Sequence, residues 1–246
     1  RRMASLRIPV CAMPALSALL KHPLPIATVT VLLLLPGWDA SGLDIVAAAW
    51  VGNASGFPLQ DHWFLARVMH AGARQVAWAL VFGLFLMALW PQGPFRSLEP
   101  ARRWQLAVST LLLALAISVI KSASLTSCPW DLKAFGGVAD HLSHWALMRD
   151  GGPGRCFPAG HASAAFAFMS GYFVFRDKHP RLARRWLVVT LVAGLALGGA
   201  QQLRGAHFMS HTLWTGWLCW CMARGLDALW RLKARRPAWP AAAGGH

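Results

Sequence analysis

The sequence predicts an all-α integral membrane protein with about six transmembrane helices. Charged residues make up only 13% of the 246 residues, about half the usual share for a soluble domain, and 56% are hydrophobic. Trp occurs 14 times and Tyr once, which is a composition typical of membrane proteins. The third observation is a set of six apolar runs, at roughly 24–38, 76–90, 105–120, 161–175, 186–200 and 208–222.

We interpret each apolar run as one spanning segment. Each is shorter than the roughly 20 residues that cross a bilayer as a helix, but flanking Trp, Arg and Lys side chains can lengthen a span by snorkelling. The first run is the weakest, because Pro23 and Pro25 interrupt it. No internal repeat or linker divides the chain, so we expect one membrane-embedded domain over 1–246, with its motifs within about 105–222.

The distribution of Lys and Arg predicts the orientation in the membrane. The N-terminus, 91–103, 176–185 and the C-terminus carry 17 of the 24 basic residues, whereas 39–75, 121–160 and 201–207 carry seven. We therefore expect a multi-pass protein of a bacterial inner membrane, with cytoplasmic termini and long periplasmic loops. The net charge of +15 does not predict a nucleic-acid partner, because the charges lie between apolar runs and form no patch with interleaved aromatics.

The outer segment 39–75 contains a short amphipathic stretch between His62 and His70. Its apolar spacing predicts a helix that lies on the membrane surface. We interpret both histidines as interfacial residues without a chemical role.

A turn with a histidine at its tip opens the fourth apolar run, in the order Phe157-Pro158-Ala159-Gly160-His161. Gly160 lets backbone N–H groups come close to a ligand, and the following helix points its positive end at the same place. The turn therefore suits an anion held beside an imidazole. The alternative is an ordinary helix N-terminus whose histidine only meets the interface.

Other ionisable groups are predicted at the same outer face. Lys121 ends the third run, Gln201 and Arg204 end the fifth, and His207 and His211 open the sixth. Ionisable groups that face a common cavity in a membrane protein are functional candidates. Phosphate suits this set, because cations neutralise its oxygens while one imidazole attacks and another protonates the leaving oxygen. Taken singly, each has a structural explanation as a snorkelling helix end or a polar helix cap.

Together these residues carry a resemblance to a known family. The order of Lys121 before Pro129, then Pro158-Ala159-Gly160-His161, then His207 at a helix start resembles the integral-membrane type 2 phosphatidic acid phosphatase superfamily. The motifs cover roughly 121–211, and the six-helix plan covers the rest of the chain.

The resemblance implies a phosphatase that needs neither metal nor cofactor. It implies that His207 is the nucleophile that forms a phosphohistidine and that His161 is the general acid. Lys121 and the Gly160 amide would bind the phosphate. The substrate would be a lipid phosphate or diphosphate in the bilayer, hydrolysed at the periplasmic face; the oligomeric state is left open.

Four positions differ from the family pattern. Cys128 and Gln201 stand where Arg is expected, Ala159 stands where Ser is expected, and His211 replaces an Asp.

Other residues are candidates for the missing groups. Arg204 shares a helix face with Gln201 and is expected to take its phosphate contact, and Arg155, near the turn, is a further donor. The missing carboxylate would fix the tautomer of the nucleophile. His211 can orient His207 in its place, and Asp131 or Asp140 could supply the carboxylate from elsewhere in the chain.

Cys128 and Cys156 are the only cysteines in the outer segments. An oxidising compartment permits a disulfide between them, which would tie the first motif to the second. Two free thiols are the alternative.

Other functions remain as alternatives. One is phosphotransfer to a lipid acceptor through the same histidine, and another is a non-catalytic protein that binds a lipid phosphate. Haem ligation by histidines would need residues near mid-membrane, whereas these lie at helix ends. His141 and His144 with Asp140 have metal-ligand character, but a solvated loop is the more common setting for such a group, so we expect no metal.

Overall fold

The computed structural model describes residues 23–146 and 148–234. Within these ranges the regular elements are helices and no strand occurs, so the predicted all-α class is confirmed there. The α-helices are α1 (Pro23–Ala40), α2 (Leu43–Ala49), α3 (Ala73–Leu89), α4 (Pro100–Ala123), α5 (Gly160–Phe166), α6 (Ser170–Phe175), α7 (Pro180–Leu203) and α8 (Met209–Ala234).

Shorter helical elements connect them. A π-helix, Phe64–Gly72, runs directly into α3. The 3₁₀ turns are Gly93–Ser97, Pro129–Asp131, Lys133–Phe135 and Ala167–Met169, the last of which joins α5 to α6.

All six apolar runs are helical over nearly their whole length. Among the residues that the structure describes, three stretches are long and apolar enough to cross a membrane: Phe64–Leu89, α4 and α7. A fourth results if α1 and α2, which meet at a bend of 65°, are counted as one span. Helices long and apolar enough to span a membrane are thus present as expected, whereas the total of about six stays a prediction.

The stretch from His62 to His70 differs from the prediction of a surface helix. Its residues form the start of a continuous 26-residue helical stretch, Phe64–Leu89. No proline interrupts it, and Leu65 is buried against the rest of the protein. Leu65 and the half-buried His70 therefore face the rest of the protein, whereas Trp63, Phe64 and Val68 stay exposed.

The central element is the helical segment from α5 through α6. Its side chains are almost all buried, with Phe166 and Phe173 1% exposed and Phe175 fully buried. The Phe166 ring packs against Gly194 of α7, where a Cβ atom would overlap the ring. The aromatic ring and the glycine therefore allow α5 and α7 to approach closely, which fixes the start of α5 beside the end of α7.

An ion-pair cluster closes the end of the helix bundle that lies away from the motifs. The Asp227 carboxylate in α8 is 2% exposed. It accepts hydrogen bonds from Arg102 (2.8 Å), Arg176 (2.8 Å), Arg231 (2.9 Å) and Gln105 (3.0 Å). A buried carboxylate needs such compensation, so this cluster holds α4, the end of α6 and α8 together.

Candidate active site

The first two motifs meet where α4 ends and α5 begins. The Lys121 side chain, in the last turn of α4, lies over Gly160 at the start of α5. A Cβ atom at Gly160 would be 3.2 Å from Cδ of Lys121, which is tighter than ordinary contact. Glycine at this position therefore lets the lysine stem pass close to the backbone of the turn.

Backbone bonds and a disulfide hold the second motif in place. The Cys156 amide donates to the Thr126 carbonyl (2.9 Å), and the Ala159 amide donates to Oγ1 of Thr215 in α8 (2.9 Å). Cys128 and Cys156 form a disulfide, with their Sγ atoms 2.12 Å apart. The loop after α4, the turn before α5 and α8 are thereby linked into one unit.

His207 lies buried immediately before α8. Its residue is 3% exposed, and its Nδ1 atom is 3.5 Å from Sγ of Cys156. Burial lowers the pKa of His207 well below its usual value, and the positive charge of Lys121 lowers it further. The imidazole is therefore neutral near pH 7, with a nitrogen lone pair available for attack on an electrophile.

His161 faces the same space from the start of α5. Its ring centroid is 6.5 Å from that of His207 and 3.8 Å from that of His70. Its Nδ1 atom is buried and has no hydrogen-bond partner among the described residues. A buried polar atom without a partner is unfavourable, so this nitrogen is available to a bound substrate.

Arg204 follows the end of α7 and is held rigidly. Its Nε atom donates to the Gln60 carbonyl (2.7 Å), its Nη1 atom donates to Oε1 of Gln201 (3.1 Å), and its guanidinium lies over the Trp130 ring at 5.9 Å. Its Nη2 atom makes no hydrogen bond within the described part of the chain. The guanidinium is thus positioned, with one donor group remaining for an anion.

A family model matches the part of the chain that contains Lys121, His161, Arg204 and His207. The model described as the PAP2 superfamily covers residues 102–236, more than half of the chain. The chain belongs to the PAP2 superfamily. The resemblance seen in the motifs is thereby confirmed, and membership supports a phosphatase or phosphotransferase that acts on lipid-like phosphate esters. No curated protein and no solved structure matches the chain.

His211, at the position where the PAP2 pattern expects Asp, does not bind His207 directly. The two ring centroids are 5.8 Å apart. His211 is 1% exposed, and neither ring nitrogen has a hydrogen-bond partner among the described residues. The group expected to orient His207 is therefore present as a buried imidazole that makes ring contacts, with Phe157 and Phe208 among others, but no hydrogen bond within the described ranges.

The two alternative carboxylates lie elsewhere. Oδ2 of Asp131 accepts the Cys128 amide (3.1 Å), and Asp140 pairs with the exposed Lys133 amine at 2.8 Å. Arg155 is exposed, and its side chain makes no hydrogen bond or ion pair within the described ranges. Asp131 and Asp140 are thus engaged outside this PAP2 site, and Arg155 directly precedes Cys156 of the disulfide in the chain.

Two residues near the site were not predicted from the sequence. His70 stacks on His161, and Arg74 lines a small pocket together with Gly160 and Ser163. The two are four residues apart in the Phe64–Leu89 stretch, so they lie on one helix face. The four-residue spacing of His70 and Arg74 was the only sequence signal for these two residues, and a helix at the membrane interface accounts for the same spacing.

The site also contains a set of metal-ligating residue types. One donor atom each from Cys156, His207 and His211 lie within 4.8 Å of one another. The sulfur of Cys156 is bonded to Cys128, however, and zinc binds the thiolate form of cysteine. Only the two imidazoles remain as ligands while the disulfide is intact, and the arrangement does not fit a structural zinc site.

An apolar groove of about 680 Å³ runs beside this PAP2 site. It lies between the Phe64–Leu89 stretch, α5 and α7, and residues next to His70 in the chain line it, including Met69. Its other lining residues include Leu80, Phe168 and Trp186. The groove is open and apolar, which suits a hydrocarbon chain.

Proposed function

We propose that this protein is a membrane lipid phosphatase that hydrolyses a phosphate mono- or diphosphate ester of a lipid through a phosphohistidine on His207. The observation that carries the proposal is the buried neutral His207, which faces His161 across a space bordered by Lys121 and Arg204. Membership of the PAP2 superfamily supports the reaction class.

The reaction would proceed in two displacements. Because Nδ1 of His207 lies against the Cys156 sulfur, Nε2 is the nitrogen left to attack phosphorus. The N–P bond forms as the P–O bond to the lipid breaks. Burial lowers the pKa of His161 to about 3 in the absence of substrate, so the bound phosphate anion would have to favour its imidazolium form. That imidazolium then gives its proton to the leaving oxygen. Water then attacks phosphorus, His161 takes a proton from that water, and the N–P bond breaks to release phosphate.

Cations stabilise the charge on the transferring group. Lys121 brings an ammonium to the Gly160 turn, and Arg204 brings a guanidinium that is already oriented by Gln60 and Gln201. Fixed donors lose little entropy when they bind and favour the charge that develops in the transition state. These contacts would perform the role that a metal ion performs in other phosphatases, so we propose a metal-independent reaction.

The apolar groove beside His70 would hold the hydrocarbon tail. Because Met69 lines the groove and His70 contacts His161, a tail in the groove places its headgroup near the histidines. The distribution of Lys and Arg supports a bacterial inner-membrane location with the site at the periplasmic face. The Cys128–Cys156 disulfide supports the same side, since that compartment is oxidising.

Phosphate release in detergent tests the proposal. A panel of lipid mono- and diphosphates is incubated, with a chelator present, with the parent protein, His207→Ala and the control His62→Ala, whose side chain is exposed. We expect release by the parent and the control and none by His207→Ala. Release that survives in His207→Ala would refute the mechanism, and label moved to a lipid acceptor without free phosphate would indicate phosphotransfer.

A further inference from the structure

The His211 imidazole makes no hydrogen bond within the described ranges, which raises the question of which group compensates the positive charge that His207 would gain when it bonds to phosphorus. The sequence has no carboxylate at this position, and both His211 nitrogens are buried without partners in the described structure. Leaving buried donors and acceptors unpaired is costly. One donor atom of His211 lies within 4.8 Å of one on His207, which is a distance that a single bridging water or a small ring rotation closes.

A second imidazole continues the row away from His207. The His144 ring lies 5.4 Å from that of His211, nearly perpendicular to it at 89°. His144 is held by flat stacking on Phe157, with ring centroids 4.2 Å apart and an interplanar angle of 17°. The stack fixes the plane of the His144 ring, which also lies 5.0 Å from the Trp145 ring.

A largely buried carboxylate ends the row. Oδ2 of Asp39, at the end of α1, lies 3.3 Å from Nε2 of His144, which is an ion-pair distance without hydrogen-bond geometry. The same oxygen accepts hydrogen bonds from Nε1 of Trp145 (3.1 Å) and of Trp214 (2.9 Å), and the side chain is only 12% exposed. Three elements far apart in sequence thus place one negative charge at the far end of a histidine row that begins at the nucleophile.

We propose that Asp39, acting through His144 and His211, supplies the negative charge that orients and stabilises His207. The inference rests on the proposed function and deepens it by naming positioning residues for that reaction. In this row Asp39 accepts an N–H of His144, and His144 accepts one of His211. The Nδ1 proton of His207 lies against the Cys156 sulfur, which is a weak acceptor, and His211 accepts this proton through a bridging water or after a small ring rotation. His144 and His211 stay neutral. His207 keeps its Nδ1 proton and carries a positive charge on its ring while the N–P bond exists, and it returns to the neutral form when that bond breaks.

The test compares two backgrounds. The variants Asp39→Asn and His144→Phe are made in the parent and in His211→Asp, which restores a carboxylate next to His207. Asp39→Asn keeps the bonds to both Trp side chains, because an amide oxygen accepts the same N–H groups, and His144→Phe keeps the stack on Phe157. His141→Phe is the matched control, since His141 is an exposed histidine outside the row.

In the parent we expect each change to lower kcat by about 10-fold or more, with little change in KM, because a carboxylate that orients a catalytic imidazole acts on the chemical step. In the His211→Asp background both changes should leave kcat unchanged. The kcat of the double variant Asp39→Asn, His144→Phe should be no lower than that of either single variant, because both residues act through the same row. This comparison tests the row even where His211→Asp fails to fold.

Other outcomes refute the proposal in distinguishable ways. An equal loss of kcat in both backgrounds, accompanied by a lower Tm, would show that Asp39 only holds the fold. No loss in the parent would remove Asp39 and His144 from the mechanism while the phosphatase activity stands. Absence of phosphate release by the parent itself, with every lipid of the panel, would overturn the proposed function and this role together.

Discussion

The imidazole of His70 lies on that of His161, with ring centroids 3.8 Å apart and an interplanar angle of 33°. His161 is the proposed general acid, and its neighbour comes from the start of a different helical stretch, Phe64–Leu89. His70 follows Met69, which lines the apolar groove, so the contact joins the segment that borders the groove to the proposed general acid.

This contact predicts a difference between two substitutions of His70. His70→Phe keeps a ring against His161, and we expect it to retain most of the activity. His70→Ala removes the stack, and we expect kcat to fall by about 10-fold, because a poorly held catalytic group loses productive geometry. Phosphate release measures both, with His62→Ala as the control on the same segment. Equal activity of the two variants would show that the stack does not position His161.

Arg204 is expected to contribute a directed phosphate contact as well as its charge. Arg204→Lys keeps the charge but loses the paired bonds to Gln60 and Gln201. Because lysine is a point charge without a fixed fork of donors, we expect kcat/KM to fall by about 10-fold. Arg149→Lys, at an exposed loop residue, is the control. Unchanged kcat/KM in Arg204→Lys would mean that only the charge matters.

Asp227 is expected to dominate the stability of the end of the bundle away from the site. Asp227→Ala leaves the guanidinium groups of Arg102, Arg176 and Arg231 without their shared carboxylate. Breaking a buried ion pair in this way typically costs about 3–5 kcal/mol, so thermal unfolding in detergent should shift clearly downward. Asp177→Ala, whose carboxylate is 54% exposed, should shift it little. Similar shifts for both would contradict this assignment.

The disulfide is expected to stabilise the site. It closes a loop with a sequence separation of 28 residues, for which the chain-entropy model gives about 3–4 kcal/mol. We expect the double variant Cys128→Ser, Cys156→Ser to unfold at a lower temperature than the parent. Cys221→Ser, which changes a free and partly buried cysteine, serves as the control. An unchanged unfolding temperature for the double variant would show that the packed helices alone hold the two motifs together.

The buried His207 predicts acid sensitivity of the fold. Burial, and then the charge of Lys121, lowers the pKa of His207 in the folded state, whereas the unfolded imidazole has a pKa of about 6.5. The unfolded state therefore binds the proton first as the pH falls, and stability that is complete above about pH 6.5 is lost below it.

The comparison of two pH values isolates this residue. The fall in Tm between about pH 7.5 and about pH 5.5 should be smaller in His207→Gln than in the parent. His62→Gln, at an exposed position, should behave like the parent. The same fall in all three proteins would indicate that other groups set the acid sensitivity.

Much of the fold was predictable from the sequence because apolar runs reflect a local property. Each run contains its own helix-forming residues and its own backbone hydrogen bonds, so its position along the chain follows from composition alone. It was also predictable that Lys121, His161, Arg204 and His207 meet at one end of the bundle. Successive helices run in opposite directions, so the end of one helix and the start of the next lie on the same side. The family followed from the spacing of the same motifs.

The sequence by itself therefore determined the helical class, the family and the identity of the central histidines. Only the tertiary structure decided which side chains surround them. His70 turned inward because its helical stretch continues into α3, and Asp39 reached the row of histidines because α1 packs beside the start of α8. Such contacts join residues far apart in the chain, and they depend on how helices pack against each other, which no local pattern specifies.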